Sequence, residues 1–339
     1  MSTVKPNATE RRGGLVVAAH GRHCLVETDT GERLICHPRG KKSIAVVGDR
    51  VQWQPPPPGQ GDEGIVEKVD ARRNLFYRQD ELRTKSFAAN LDRVLILVAA
   101  DPEFSESQLS RALIAAEAEG IQPLIVLNKR DLHEPFTRAW AKLAPYRAMG
   151  YEVLPLALKD TTETNTGIST DTELDNTSED VPSRELLNNL LQQLKGRATL
   201  VLGPSGAGKS SLINRLVPGA SVLTGEVSRA LNSGKHTTTS TTWYWLDAGS
   251  EGATRSALID SPGFQEFGLN HIAPMQLAGY MPDFKPHTAE CRFYNCTHRK
   301  EPGCAVMAQI KTTSSAGTIS EARYKIYSEL FEELGQTRY

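Results

Sequence analysis

The sequence predicts a protein of three domains: an N-terminal β-barrel, a central α/β domain and a small, mostly helical C-terminal domain. Five short β-like runs fall between residues 14 and 75, a spacing typical of a small barrel. From about residue 90, continuous apolar runs alternate with helical patterns, which indicates parallel strands buried on both faces. After residue 270 the chain holds three cysteines within fourteen residues and ends in a helical pattern. A length of 339 residues also favours more than one core.

The composition is typical of a soluble globular protein, with 39% hydrophobic and 23% charged residues. The net charge is −1, so any contact with nucleic acid depends on local basic patches. No run approaches the roughly 18 consecutive apolar residues of a membrane span, and the start MSTVKPNATERRGG lacks the apolar core of a secretory signal. Five cysteines, three of them clustered, fit a reducing compartment. We therefore expect a cytoplasmic protein with no membrane partner.

Residues 1–13 are predicted to be a disordered N-terminus, and residues 14–75 a β-barrel. Turn strings such as DTGE and PPPPGQGDEG separate the runs GLVVAAH, RHCLVET, RLICHP, VGDRVQWQ and GIVEKVD. Five short strands in about sixty residues suggest an OB-like or SH3-like barrel, and any other small β module remains open. The basic residues available here for phosphate contacts are Arg39, Lys41, Lys42, Arg72 and Arg73.

Residues 76–269 are predicted to form the α/β domain. Its strands are RVLILVAA, QPLIVLN, YEVLPLAL, ATLVLG and SALID, and helical spacing is present in SESQLSRALIAAEAEG and KSSLINRLV. Between the third and fourth strands, residues 160–180 include seven acidic residues and no basic one. Such a stretch cannot build a core, so we expect a disordered surface insertion there.

The string GPSGAGKSS, Gly203–Ser211, follows a strand and opens a helix, which is the context of a P-loop. Its glycines let backbone N–H groups close around phosphate oxygens, and the helix N-terminus adds partial positive charge. Lys209 would reach the β- and γ-phosphates, and the Ser210 hydroxyl would bind Mg²⁺. The predicted nucleotide-binding residues of this loop are Gly203, Pro204, Ser205, Gly206, Ala207, Gly208, Lys209, Ser210 and Ser211.

A second phosphate loop is indicated by Asp260-Ser-Pro-Gly263 at the end of an apolar run. Asp260 would hold Mg²⁺ through water, and the Gly263 N–H would bond the γ-phosphate. The string D-x-x-G is common by itself and mostly marks a turn. Its position about fifty residues after the P-loop is what favours a phosphate contact.

The string NKRD, Asn128–Asp131, predicts selectivity for guanine. The Asp131 carboxylate can accept from both N1–H and the 2-amino group of guanine, and adenine lacks both donors. Asn128 can hold the loop and the purine edge, the Lys129 stem can cover the base face, and Arg130 completes the string. This string precedes the P-loop by about 75 residues, the reverse of the usual order. A parallel sheet depends on which strands are neighbours, so joining the old termini and cutting a surface loop can keep the site.

With its motifs in this order the chain resembles the circularly permuted GTPases, and among them the RsgA (YjeQ) family. The resemblance spans nearly the whole chain and rests on VVGDRV, NKRDL, GPSGAGKSSLIN, GKHTTTSTT, LIDSPGFQEFGL and the cysteine cluster. It implies an RNA-binding OB-fold, a permuted GTPase domain and a zinc domain at 270–339. It also implies hydrolysis of GTP to GDP and phosphate, stimulated by the small (30S) ribosomal subunit during that subunit's late maturation.

The string Lys235–Thr239 matches switch I of that family, and Thr238 or Thr239 would complete the Mg²⁺ shell. Phe264 stands where Ras-type enzymes place a water-orienting Gln, a lack that the family shares. His236 is the suggested catalytic substitute; the alternative is a loop histidine that only contacts RNA. After YEVLP, Leu156-Ala157-Leu158 replaces the Ser-Ala of many GTPases, so we expect the base contact there to come from the backbone or to be weaker.

A closed metal site is predicted from Cys291-x4-Cys296-x-His298-x5-Cys304. Three thiolates and one imidazole make a tetrahedral set for one structural Zn²⁺, with no position left for a reacting water. The ion would contribute folding energy that so small a segment lacks. The alternative is a group of buried free cysteines. Arg292, Phe293, Tyr294 and nearby basic residues form a weak pattern for rRNA contact.

The sequence thus predicts a monomeric, GTP-hydrolysing assembly factor that binds rRNA through its two flanking domains. Because the zinc domain follows directly from the D-x-x-G region, we expect nucleotide state to shift its orientation. Two other functions remain open. One is a permuted GTPase acting on the large ribosomal subunit, which the β module and cysteine cluster argue against. The other is an RNA-binding module whose P-loop binds nucleotide with negligible hydrolysis.

Overall fold

The computed structural model describes residues 11–40, 45–56, 62–80, 84–159, 183–220, 241–246, 255–261, 264, 267–311 and 318–336. The predicted features that lie outside these described residues are residues 1–10, Lys41, Lys42, His236, Thr238, Thr239, Gly263 and the insertion at 160–180. Within the described residues, no helix is long and apolar enough to cross a membrane.

The first five strands form a closed barrel, as the sequence predicts. They are β1 (Arg12–His20), β2 (His23–Glu27), β3 (Arg33–Pro38), β4 (Arg50–Gln54) and β5 (Gly64–Val69). The order β1-β2-β3-β5-β4 closes by pairing of β4 with β1, which is the OB type of barrel. β1 begins earlier than predicted, since Arg12 and Gly13 pair with Trp53 and Gln52. This corrects the disordered range of 1–13 by two residues.

The α/β domain opens with a hairpin that the sequence pattern did not predict, β6 (Leu75–Gln79) and β7 (Thr84–Ala89). Its main sheet has five parallel strands in the order β10-β9-β8-β11-β13, with β12 antiparallel beside β13. The bounds are β8 (Arg93–Ala99), β9 (Gln122–Asn128), β10 (Glu152–Pro155), β11 (Ala198–Leu202), β12 (Thr242–Trp245) and β13 (Ala257–Asp260).

Helices cover both faces of this sheet. They are α1 (Glu106–Ala118), α2 (His133–Lys142), α3 (Ala144–Ala148), α4 (Ser183–Leu194) and α5 (Lys209–Leu216). Along β8, Val94, Ile96 and Val98 join one core with α1 to α3, and the intervening Leu95 and Leu97 join a second core with α4 and α5. Burial on both faces explains why β8 is apolar without alternation.

One sheet runs through the barrel and the α/β domain. Ala18 of β1 pairs with Thr242 of β12, so eleven strands of the described chain are hydrogen-bonded in series. The barrel also approaches the α/β domain at Gly48, whose φ is +89° and where a Cβ would lie 2.2 Å from the carbonyl oxygen of Ala89 in β7. Only glycine permits so close an approach.

The C-terminal residues are mostly helical and pack on α1. After a 3₁₀ turn at Pro274–Tyr280 come α6 (Lys285–Thr288), α7 (Ala305–Ala308) and α8 (Glu321–Gly335). Arg323 of α8 is buried, donates twice to Asp283 at 3.0 Å and donates to the Ser110 hydroxyl of α1 at 2.7 Å. Burial acts to lower the pKa of Arg323, but the hydrogen bonds to Asp283 outweigh it and raise that pKa. A second ion pair joins Arg111 and Glu333.

Candidate nucleotide site and metal centre

A cavity of about 850 Å³ lies at the carboxyl ends of β8, β9 and β11. This volume and position are those of ligand sites in open α/β sheets. Asp131 and Lys209 both line it, so the two motifs meet although the chain presents them in reversed order. The predicted residues on its wall are Asn128, Lys129, Asp131, Gly203, Pro204, Ser205, Gly206, Gly208, Lys209, Ser210 and Ser211.

Asn128 connects the NKRD string, Asn128–Asp131, to the P-loop. Its buried side-chain amide donates to the Ala207 carbonyl at 2.9 Å. Its Oδ1 has no hydrogen-bond partner among the described residues, and a buried acceptor of this kind calls for a ligand or a water. Ala207 is itself buried and lies behind the cavity wall. Its side chain therefore supports the P-loop from behind, and its predicted nucleotide contact stays a prediction.

Two glycines set the shape of the P-loop. Gly208 precedes α5 with a φ of +97°, and a Cβ there would lie 2.4 Å from the Asn128 amide nitrogen. At Gly203 a Cβ would lie 2.8 Å from the Leu97 carbonyl oxygen. The loop can lie this close to its neighbours only without side chains at these positions. The first N–H groups of α5 have no intrahelical acceptors and remain available to an anion.

Lys209, which lines the cavity, forms an ion pair with Asp260, which is not among the lining residues. Asp260 ends β13, which runs parallel to β11, and its side chain is 14% exposed. The pairing places a carboxylate beside the first turn of α5, which also carries Ser210. A carboxylate and a hydroxyl are oxygen ligands of the kind Mg²⁺ takes with phosphates, so these side chains fit the predicted ion.

Residues from two loops line the end of the cavity that holds Asp131. Lys129 has a φ of +67°, and its ammonium donates to the carbonyl of Asp101, which also lines the cavity. Leu158 and Lys159 line it as well. The Arg130 N–H donates to the Leu156 carbonyl at 3.1 Å, so Arg130 ties the two loops together and does not line the cavity.

The four predicted metal ligands converge in the C-terminal residues. The ligand atoms of Cys291, Cys296, His298 and Cys304 all lie within 4.8 Å of one another. The Cys291 and Cys304 sulfurs are 3.9 Å apart, and His298 Nδ1 is 3.4 and 3.5 Å from them. Tetrahedral Zn²⁺ with ordinary bond lengths requires about 3.8 Å between sulfurs and about 3.6 Å between sulfur and nitrogen. The arrangement therefore fits a metal ion such as zinc.

Hydrogen bonds hold the metal loop in this shape. Tyr324 and Tyr327 of α8 donate to the carbonyls of His298 and Thr297 at 2.9 and 2.8 Å. Glu301 accepts from the N–H groups of Thr297, Arg299 and Lys300. Burial acts to raise the pKa of Glu301, but these bonds and one from the Thr297 hydroxyl lower it well below its usual range. The metal loop is thus braced by the same helix that packs on α1.

Comparison with known proteins identifies the family. A family model described as RsgA GTPase matches residues 69–172 and 168–270. A relative from Variovorax paradoxus, the small ribosomal subunit biogenesis GTPase RsgA, is 62% identical over 99% of both chains. The chain belongs to the RsgA GTPase family. A second relative of the same name, from Paraburkholderia xenovorans, is 45% identical over 98% of this chain and 96% of its own.

Two solved structures have the same fold as this chain. YjeQ from Thermotoga maritima aligns over 97% of this chain and all of its own, with 28% identity and a TM-score of 0.68. YloQ, described as a circularly permuted GTPase, aligns over 99% of this chain and all of its own, with 23% identity and a TM-score of 0.64. The permuted order inferred from the motifs is therefore that of the fold.

Phe264, the residue after the D-x-x-G string, lies against the cavity. It is 4% exposed and lines the wall, so an apolar ring stands at the position where Ras-type enzymes carry an amide. Pattern reasoning missed Asp101, Leu132 and Lys159 as cavity residues. Asp101 follows a buried strand of the same sheet, and that position was the available signal.

Proposed function

We propose that this RsgA GTPase family member binds the small (30S) ribosomal subunit and hydrolyses GTP to GDP and phosphate in the late maturation of that subunit. The observation that carries the proposal is the single cavity that has Asp131 at one end and Lys209 at the other. A carboxylate selects guanine and a P-loop lysine holds the phosphates. The names of the relatives support the ribosomal role.

Each described residue has a defined task in this proposal. Asp131 accepts from the guanine edge, Asn128 fixes the NKRD string against the P-loop, and Lys209 balances phosphate charge. Mg²⁺, when bound to phosphate oxygens, neutralises charge that develops during transfer; Ser210 and Asp260 would hold it. Beyond the described residues, Thr238 or Thr239 would complete its shell, Gly263 would bond the γ-phosphate and His236 would act in catalysis.

The flanking domains are proposed to hold rRNA. The OB-type barrel is a fold that binds oligonucleotides, and the C-terminal residues present Phe293 and Tyr294 exposed beside Arg292. Exposed aromatic rings with basic neighbours suit unpaired bases and phosphates. We propose one structural Zn²⁺ at the cysteine–histidine cluster, and a monomer that works in the cytoplasm.

The decisive experiment compares GTP hydrolysis with and without purified small ribosomal subunits. A strong increase with small subunits, and none with large subunits, is the expected result. Tighter binding to the small subunit with a non-hydrolysable GTP analogue than with GDP should accompany it, because a ligand shifts only states that it distinguishes. Equal affinities would contradict coupling between nucleotide and subunit.

The same measurement tests a second candidate function. The apolar ring of Phe264 on the cavity wall favours an RNA-binding module that is gated by nucleotide and has negligible hydrolysis. That alternative predicts GTP binding with no turnover, even when small subunits are present. Turnover that rises with subunit concentration excludes it.

A further inference from the structure

Strand β12 is attached to the barrel at both of its ends. Its first residue, Thr242, pairs with Ala18 of β1 on one side and with Asp260 of β13 on the other. At its last residue, the Trp245 indole N–H donates to the Glu27 carboxylate of β2 at 2.7 Å. A slip of one residue would turn every side chain of a strand to the opposite face. These two attachments therefore fix the register of β12.

Glu27 contacts more than the indole. Its side chain is 8% exposed, and it accepts from Arg33 Nε at 2.9 Å. Arg255, two residues before β13, approaches Glu27 to 3.9 Å and lies over the Trp245 ring, 3.9 Å from its centroid. A buried carboxylate is stable where charged and N–H donors satisfy it. One side chain of the barrel thus touches both the end of β12 and the segment that leads into β13.

The other ends of these two strands reach the nucleotide site. Asp260 closes β13 directly opposite Thr242, and its carboxylate pairs with Lys209 of the P-loop. Ala18, Thr242, Asp260 and Val201 form one row of paired residues from β1 to β11. The position of Asp260 relative to the P-loop therefore depends on where the barrel holds β12.

We propose that Glu27 is a positioning residue for Asp260 and acts through β12 and β13. The inference rests on the proposed function, in which Asp260 would hold Mg²⁺. When the contacts of Glu27 are weakened, β12 and β13 shift against β11, and the Asp260 carboxylate no longer lies where it would hold the ion. A force applied to the barrel by a bound RNA would reach the phosphate site along the same path.

Two variants of the full chain test this by Mg²⁺ titration. Trp245→Phe keeps an aromatic ring and removes the indole N–H, whereas Glu27→Gln keeps the shape of the side chain and removes its charge. We expect each to raise the Mg²⁺ concentration for half-maximal binding of a fluorescent GTP analogue by about three- to tenfold. GDP binding without Mg²⁺ should change by less than about twofold, because it does not use Asp260 as a metal ligand.

Glu67→Gln is the matched control. Glu67 is a barrel carboxylate whose side chain is also 8% exposed, and it accepts two hydrogen bonds from Arg39 within the barrel. The inference is supported if the Mg²⁺ midpoint rises in Glu27→Gln and Trp245→Phe but not in Glu67→Gln. Unchanged midpoints, or an equal rise in Glu67→Gln, overturn it.

Amide hydrogen exchange gives a second readout that needs no nucleotide. Exchange at Thr242–Trp245 should be faster in Glu27→Gln and Trp245→Phe than in Glu67→Gln, and equal rates contradict the attachment. If the unaltered chain binds GTP with no requirement for Mg²⁺, the proposed Mg²⁺ site at Ser210 and Asp260 fails, whereas the proposed function fails only if small subunits do not stimulate hydrolysis. If GTP binding by the unaltered chain requires Mg²⁺ and the variants have the same Mg²⁺ midpoint, only this inference fails.

Discussion

Asn128 donates to the carbonyl of Ala207 at 2.9 Å, although 79 residues separate the two. Asn128 ends β9, Ala207 follows β11, and β8 lies between these strands in the sheet. The bond depends on strand order in space and not on order along the chain. This is the physical reason why a permuted chain can build the same nucleotide site.

Gly208→Ala should break this junction. The new methyl group would lie 2.4 Å from the Asn128 amide nitrogen at a φ of +97°, so either the P-loop or the NKRD string must move. We expect GTP affinity to fall by about 100-fold or more, measured by titration with a fluorescent analogue, since steric displacement adds to a backbone cost of about 1–2 kcal/mol. Gly219→Ala is the control, because its φ is +87° and nothing lies within 4 Å. Equal losses in both variants would point to backbone strain alone.

Asp131→Asn should change the preferred base from guanine to xanthine. Xanthine carries a carbonyl in place of the 2-amino group, and an amide can donate to it where a carboxylate cannot. We expect GTP to bind roughly 10- to 100-fold more weakly and XTP correspondingly more tightly, the size of a lost or gained bidentate contact. Competition among GTP, XTP and ATP measures this. Unchanged preference for GTP would remove Asp131 from base recognition.

Cys296→Ser should release metal from the C-terminal cluster. The ligand atoms of the four residues lie within 4.8 Å of one another, and thiolates that close need a cation to hold them together. We expect less than one zinc per chain by elemental analysis and a new unfolding transition at lower temperature. Cys24→Ala is the control, since Cys24 is buried in the barrel away from the cluster. A full zinc content in Cys296→Ser would contradict the ligand assignment.

Asp283→Ala should weaken the docking of α8 on α1. It leaves the Arg323 guanidinium buried without its carboxylate, and breaking such a pair costs about 3–5 kcal/mol. Replacing both partners, as Arg323→Met with Asp283→Leu, should cost much less, because no unpaired charge remains. Urea unfolding measures both. Lys325→Ala removes an exposed pair with Glu329 and should cost less than about 1 kcal/mol.

His236→Ala should abolish hydrolysis stimulated by the small subunit and leave GTP binding unchanged. The expectation comes from the sequence, since His236 lies outside the described residues, and from the apolar ring of Phe264 at the usual water-orienting position. Single-turnover hydrolysis and analogue binding separate the two effects. Unchanged turnover would exclude His236 from the mechanism.

Local patterns were sufficient where function constrains several neighbouring residues. The P-loop, the NKRD string and the cysteine–histidine set each lie within a stretch of at most fourteen residues. The structure brings the residues of each stretch together. The barrel strands were equally readable, because turn strings separate them. In these regions geometry follows from short-range sequence.

Contacts between distant segments left no such pattern. The strand Thr242–Trp245 follows a threonine-rich string and was not among the predicted strands, since its pairing with Ala18 and Asp260 has no local signature. The hairpin Leu75–Gln79 and Thr84–Ala89 carries the charged residues Arg78 and Lys85 at half-buried positions, which weakened its β signal. The docking of Arg323 on Ser110 joins residues 213 apart and depends on tertiary packing alone.

The 213 residues between Ser110 and Arg323 determine when their contact can form during synthesis of the chain. Ribosomes add roughly 5–20 residues per second, so a growing chain carries Ser110 for roughly 10–40 s before Arg323 exists to cover it. Until then the outer side of the first helix stays open to solvent and to chaperones. The docking of α8 on α1 is therefore one of the last steps of folding during translation. A chain that ends before α8 would expose the surface of α1 that α8 normally covers.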